Sequence, residues 1–185
     1  MHKKGDVWIS AVLYFGIGIV VLTILLTAGL PVINKLRDKN IIVQTKEVMH
    51  TLDENIREVM KDGPGSQRLV TVNLKKGSLN IEGNKVKWVY DRSKVPISEV
   101  NPDNEGDIVA SEGNLKVKTI QGTEKGVYII EIFADYSDLA IVEREAGSST
   151  TLVGLSDLLV KNDGVPANQP AGQEKVKIVI RETNK

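Results

Sequence analysis

From Val7 to Ile33 the chain runs through 27 consecutive residues without a charge, VWISAVLYFGIGIVVLTILLTAGLPVI. A helix of about 20 apolar residues crosses the hydrocarbon core of a bilayer, so this run is long enough with a margin. It exceeds the 7–15 apolar residues typical of a removed secretory signal, and no clean small-residue cleavage site follows it. A small soluble domain could hardly surround a helix that is apolar on every side. The run therefore predicts a retained membrane-type helix, with a removed signal and a buried core helix as the weaker readings. Trp8 and Tyr14 stand near its start, where interface aromatics are found.

Composition closes off most other routes. The chain has 185 residues with 24 Lys+Arg against 24 Asp+Glu, a formal net charge of zero. That balance speaks against a strongly basic nucleic-acid binder, and no nucleic acid is expected as a partner. There is no cysteine and there are two histidines, His2 and His50. Disulfides, thiol nucleophiles and Cys-based zinc sites are excluded, and a histidine relay has almost nothing to be built from. The chain is expected to be no enzyme and to carry no cofactor.

The pattern after Ile33 stays helical but becomes amphipathic. Val48, Met49, Leu52, Ile56, Val59 and Met60 recur at helical spacing and are expected to pack on a following domain. Lys61-Asp62-Gly63-Pro64-Gly65 stops the helix. One long helix over residues 6–62 is predicted, in a membrane or core half 7–33 and an amphipathic half 34–61, with a kink or split at Gly29 and Pro31.

From Arg68 the period changes to two. Strands are expected at 68–74, 78–82, 85–90, 115–120, 127–133, 139–144, 152–160 and 175–181, with a short one at 107–110. Lys75-Lys76-Gly77 reads as a turn, Gly83-Asn84 as a tight hairpin connection, and residues 162–173 as a loop. The fold class is α+β: a leader 1–5, the long helix 6–62, and an antiparallel, sandwich-like β head over 63–185. A head fragment lacking residues 1–62 is expected to be a folded, soluble monomer.

Lys3-Lys4-Gly5, then Asp6, then the uncharged run is the motif by which this chain resembles archaeal type IV pilin-like proteins with class III signal peptides. The resemblance covers the first 60 residues in motif and the remainder in layout. It implies a long hydrophobic helix carrying a β-rich head, and cutting by a prepilin peptidase between Gly5 and Asp6 with the helix retained. It implies helix packing into a filament core through Ile17, Ile19, Val20, Val21, Ile24, Leu25 and Leu26. Implied partners are other pilin copies, the peptidase and assembly machinery, and the membrane before assembly, with the head outside the cell. Two positions depart from the related patterns. Ser10 stands where bacterial pilins carry a glutamate, and Asp6 where some archaeal mature chains begin with Gln. The alternative reading is a signal-anchored extracellular β domain acting as an adhesin or binding module.

No metal is expected. One loop has oxygen side chains at EF-hand positions 1, 3, 5 and 12, namely Asn101, Asp103, Glu105 and Glu112, with Gly106 at position 6. No helices flank it, and a solvated acidic loop is the expected reading. The carboxylate pairs Asp135/Asp138 and Glu143/Glu145 are expected to be surface charge, His50 a helix-surface or helix–head contact, and Trp88 head core.

Overall fold

The computed structural model describes residues 3–100, 109–147, 151–170 and 174–183, with side chains from residue 8 onward except that of Val109. The chain divides into two compact units, Met1–Arg37 and Asp38–Lys185. A single helix, α1 (Lys3–Asp62), contributes to both. Pro31 lies inside this helix and does not split it.

Among the described residues, the second unit combines the helix from Asp38 onward with eight strands. These are β1 (Gln67–Glu82), β2 (Lys85–Ser93), β3 (Val109–Glu112), β4 (Leu115–Gln121), β5 (Tyr128–Asp135), β6 (Ala140–Arg144), β7 (Thr151–Gly164) and β8 (Val176–Glu182). All eight belong to one sheet in the order β3-β4-β5-β2-β1-β7-β8-β6. Six of the seven neighbouring pairs are antiparallel, and β6 and β8 run parallel. The α+β class expected from the sequence is the class observed.

Gly83 and Asn84 both take positive φ, 59° and 62°. That is the backbone of a two-residue turn suited to the twist of a hairpin. Asn84 also holds the far edge of the sheet. Its carbonyl accepts from the Tyr136 amide at 2.9 Å, and its side chain accepts from the Val142 amide of β6 at 3.1 Å.

Two strand expectations are corrected. Lys75-Lys76-Gly77 is not a turn, because β1 continues through it and the register against β7 shifts between Leu74 and Leu79. The cause is Gly77, whose φ of 75° a side chain would strain. A Cβ there would also lie 2.5 Å from the Val89 carbonyl oxygen and 2.6 Å from Trp88 Nε1. The irregularity lets the Trp88 indole donate to the Lys76 carbonyl at 3.0 Å while its ring is wholly buried. Likewise β7 runs on to Gly164, where Val160 was expected to be its last residue. Its partner β8 supplies the pairing, through Lys161, Asn162 and Gly164, that the local glycines and Asn162 do not advertise.

The core lies between the strands and one stripe of the helix. Buried helix positions are Asp38, Ile41, Ile42, Thr45, Met49, Leu52, Asp53, Ile56 and Val59. Their spacing of three and four residues keeps them on one face. Trp88, Tyr136, Ile130, Ile132, Leu158 and Ile178 are among the strand side chains buried in the same cluster. A fragment beginning at residue 63 lacks the helical part of this core.

Candidate functional site: an uncovered apolar helix and a docked helix half

In the first unit the apolar residues are bare. Trp8 is 76% exposed, Phe15 71% and Leu25 64%. Ile17, Ile19, Val20, Val21, Ile24 and Leu26, the expected filament-core positions, are exposed as well. The helix is long and apolar enough to cross a membrane, and none of its most apolar stretch is buried within the protein. Each large aliphatic side chain hidden from water contributes about 1.5–3 kcal/mol, so this surface has a strong drive to leave water.

The polar groups within the run fit a dry surrounding. Thr23 Oγ1 donates to the Ile19 carbonyl at 2.8 Å, and Thr27 Oγ1 to the Thr23 carbonyl at 2.7 Å. Both hydroxyls are thereby satisfied inside the helix. A Cβ added to Gly16, Gly18 or Gly29 would meet nothing within 4 Å. Each glycine costs a helix about 1 kcal/mol relative to Ala, and packing inside the chain does not offset that cost.

In the second unit three polar anchors set the helix against the sheet. The first is Asp38. Its Oδ1 accepts from the Tyr90 hydroxyl at 2.9 Å and the Lys76 ammonium at 3.1 Å, and its Oδ2 from the Lys94 amide at 2.9 Å. Lys76 also donates to the Tyr90 oxygen at 3.0 Å, closing a triangle. Burial alone would raise the Asp38 pKa, but the Lys94 amide and the Lys76 and Tyr90 side chains bring it below the ordinary value. Burial raises that of Tyr90, and the hydrogen bond to Tyr90 leads the causes that raise that of Lys76.

The second anchor is Asp53, which accepts from the Tyr136 hydroxyl at 2.8 Å, Asn114 Nδ2 at 2.9 Å and Arg57 Nε at 3.0 Å. Tyr136 is completely buried. Burial first, then the negative charge of Asp53, pushes its phenol far above the ordinary tyrosine range. The third anchor closes the helix end. Asn162 Nδ2 and Ser66 Oγ both donate to the Val59 carbonyl, at 2.9 and 2.8 Å. One of the carbonyls that a helix C-terminus leaves unpaired is satisfied in this way.

Among the residues expected to join helix and head, Met49, Leu52, Ile56 and Val59 are buried, and Val48 and Met60 pack half-buried against the core. The stripe begins ten residues earlier than Val48, at Asp38. The missed signal is Asp38, Ile41/Ile42, Thr45 and Met49 in one three-four register, broken for the eye by two polar residues.

The processing-site side chains Lys3, Lys4, Gly5 and Asp6, and the loop residues Asn101, Asp103 and Glu105, lie outside the described residues. Glu112, the remaining calcium candidate, pairs instead with Lys46 of the helix. Among the described residues no group of three His, Asp or Glu is placed to hold a metal. Asp135 accepts from the Ser137 hydroxyl and amide and pairs with Lys85 at 3.2 Å. Burial works against these partners, and they still hold its pKa below the usual value. Glu143 pairs with Lys177 at 2.8 Å. His50 is half-buried, with the backbone of Gly113 close to its ring.

Comparison with known proteins gives one match: residues 8–123 fit the family of unknown function DUF7289. The span takes in the apolar run, the docked helix half and β1 to β4. No curated protein and no solved structure matches.

Proposed function

The chain belongs to the DUF7289 family, and with that as premise we propose that it is a structural subunit of an archaeal type IV pilus-like surface filament. In this reading a prepilin peptidase removes residues 1–5, the apolar half of α1 holds the subunit in the membrane, and assembly then packs that half against its copies. The β head lies outside the cell. The partners are further pilin copies and the assembly machinery, and no catalysis is assigned.

The observation that carries the reading is the helix with two chemistries. Its first half is apolar on every side and bare, while its second half is held to the sheet by a buried stripe and buried carboxylates. An inert tether needs only the first of these features. A subunit that transmits load between a helical core and its head needs both. The glycines with open space around them suit close approach of a neighbouring helix, because packing drives association where no water is present.

Mass spectrometry of the mature N-terminus from native envelopes tests it. A chain beginning at Asp6 with the helix retained is the expected result. A chain beginning at Met1 leaves the signal-anchored β domain as the reading.

A further inference from the structure

The cations that follow the apolar run are hard to place by topology rules. Lys35, Arg37 and Lys39 come directly after it, on the side where a head facing outward should carry no excess of positive charge. Within the second unit, more cations gather at the same end of the helix. Asp38 draws Lys76 of β1 and the backbone of Lys94 to itself, at 3.1 and 2.9 Å. Lys75 is adjacent to Lys76 in the chain, and Arg92 and Lys94 line one cleft with Thr123 of the β4–β5 loop. Lys39, Lys75, Lys76, Arg92 and Lys94 are all exposed. Lys76 is tied to Asp38, and the other four have no ion-pair partner among the described residues. Asp91 and Glu124 balance Arg92 and Lys94 within the cleft, and Lys39, Lys75 and Lys76 stand against Asp38 alone, so the five cations exceed the three acids named here by two.

Asp38 stands five residues after Ile33. A chain spans at most about 3.5 Å per residue, so Asp38 is within about 18 Å of the end of the apolar run. The polar headgroup layer on each side of a bilayer is about 5–8 Å thick. Asp38 is therefore tethered within reach of the headgroup layer whenever the run is in the membrane.

We propose that Lys39, Lys75, Lys76, Arg92 and Lys94 form a collar that binds the phosphates of anionic lipids in the leaflet where the helix enters. The proposal rests on the membrane-inserted reading of the helix. A lysine or arginine at an anionic surface contributes about a fivefold change in the contact equilibrium. Neutralising four of them should shift that equilibrium by more than about a hundredfold. The network of Asp38, Tyr90 and Lys76 then has a second consequence, because it fixes where the collar stands.

The full chain contains no cysteine, so single cysteines can be introduced and labelled with a fluorophore. Thr123→Cys reports on the collar. Lys61→Cys reports on the other end of the docked helix half, about 35 Å from Asp38 along the axis. Each labelled chain is reconstituted into phosphatidylcholine vesicles with or without phosphatidylglycerol, with nitroxide-headgroup lipid as quencher.

The expected result is flotation with both vesicles, with stronger quenching at position 123 when phosphatidylglycerol is present and no such difference at 61. The difference should vanish at about 1 M salt, where the screening length falls to about 3 Å. It should also vanish in the variant K39Q/K75Q/R92Q/K94Q. Equal quenching at 123 in both lipids, or a difference that survives salt, overturns the collar while leaving insertion intact. A chain that floats with neither vesicle overturns the inserted reading, and the collar with it.

Discussion

Replacing Asp53 with alanine should cost about 3 kcal/mol of stability, and the structure says why the figure is neither larger nor smaller. Three donors converge on this carboxylate. At about 1.5–3 kcal/mol for each bond to a charged group, simple addition would give about 4.5–9 kcal/mol. Arg57 is 28% exposed and Asn114 is on the surface, so water replaces Asp53 for both of them. Tyr136 has no such recourse. Its side chain is fully buried, and a stranded buried hydroxyl costs about 1–3 kcal/mol. Tyr136→Phe alone should cost about 1 kcal/mol, because the other two donors still satisfy the carboxylate. The double variant D53A/Y136F should then be more stable than the sum of the single losses predicts, by about 1–2 kcal/mol, since no hydroxyl is left stranded. Urea denaturation of the full chain in detergent, followed by tryptophan fluorescence and near-ultraviolet circular dichroism, measures all four corners of the cycle. A loss under about 1 kcal/mol for D53A, or strict additivity in the cycle, would refute the reasoning.

Other outcomes follow from the same geometry. Asp38 has a depressed folded-state pKa, so its contribution is present above its unfolded value and is lost as pH falls through the folded one. Stability should therefore drop below about pH 4, and Asp38→Asn should flatten that drop in acid titrations of the denaturation midpoint. Gly77→Ala should cost about 3 kcal/mol or more, combining a strained φ with overlap on Val89 and Trp88, and a shifted Trp88 emission would report it. Arg144 Nε and Nη1 are buried without hydrogen-bond partners among the described residues. Arg144→Met should accordingly be neutral or stabilising by up to about 1 kcal/mol in the same melts. Among soluble fragments, 38–185 should give a cooperative transition while 63–185 should not, because the second lacks Ile42, Met49, Leu52, Ile56 and Val59 from the core.

Much of this fold is legible from local chemistry. An uncharged run of that length has few ways to exist, Gly83-Asn84 fits the hairpin it makes, and Gly63-Pro64-Gly65 ends the helix at Asp62. What escaped local reading is what depends on distant partners. Lys75-Lys76-Gly77 has the composition of a turn, yet pairing with β7 up to Leu74 and with β2 from Ser78 keeps β1 one strand across a shift in register. Asp38 and Asp53 look like surface charge on a helix, and only Tyr90, Lys76, Tyr136 and Asn114, 38 to 83 residues away in sequence, make them buried anchors. The parallel seating of β6 on β8 has no signature in either strand alone. The family match adds no named activity, so the functional reading rests on the two-faced helix.

The strand order also governs the sequence of events during synthesis. β1 pairs with β7, so Thr71 meets Asp157 across a sequence separation of 86. The helix stripe leaves the ribosome long before the strands that cover it. Until β7 and β8 arrive, the core that holds Ile42, Met49, Leu52 and Ile56 lacks Leu158, Val160, Ile178 and Ile180. Chains dominated by such long-range pairing fold slowly, in milliseconds to seconds, and an uncovered apolar stripe is open to aggregation in that interval. Anchoring the nascent chain by its own N-terminal run would hold copies apart on the membrane while the C-terminal strands complete each head.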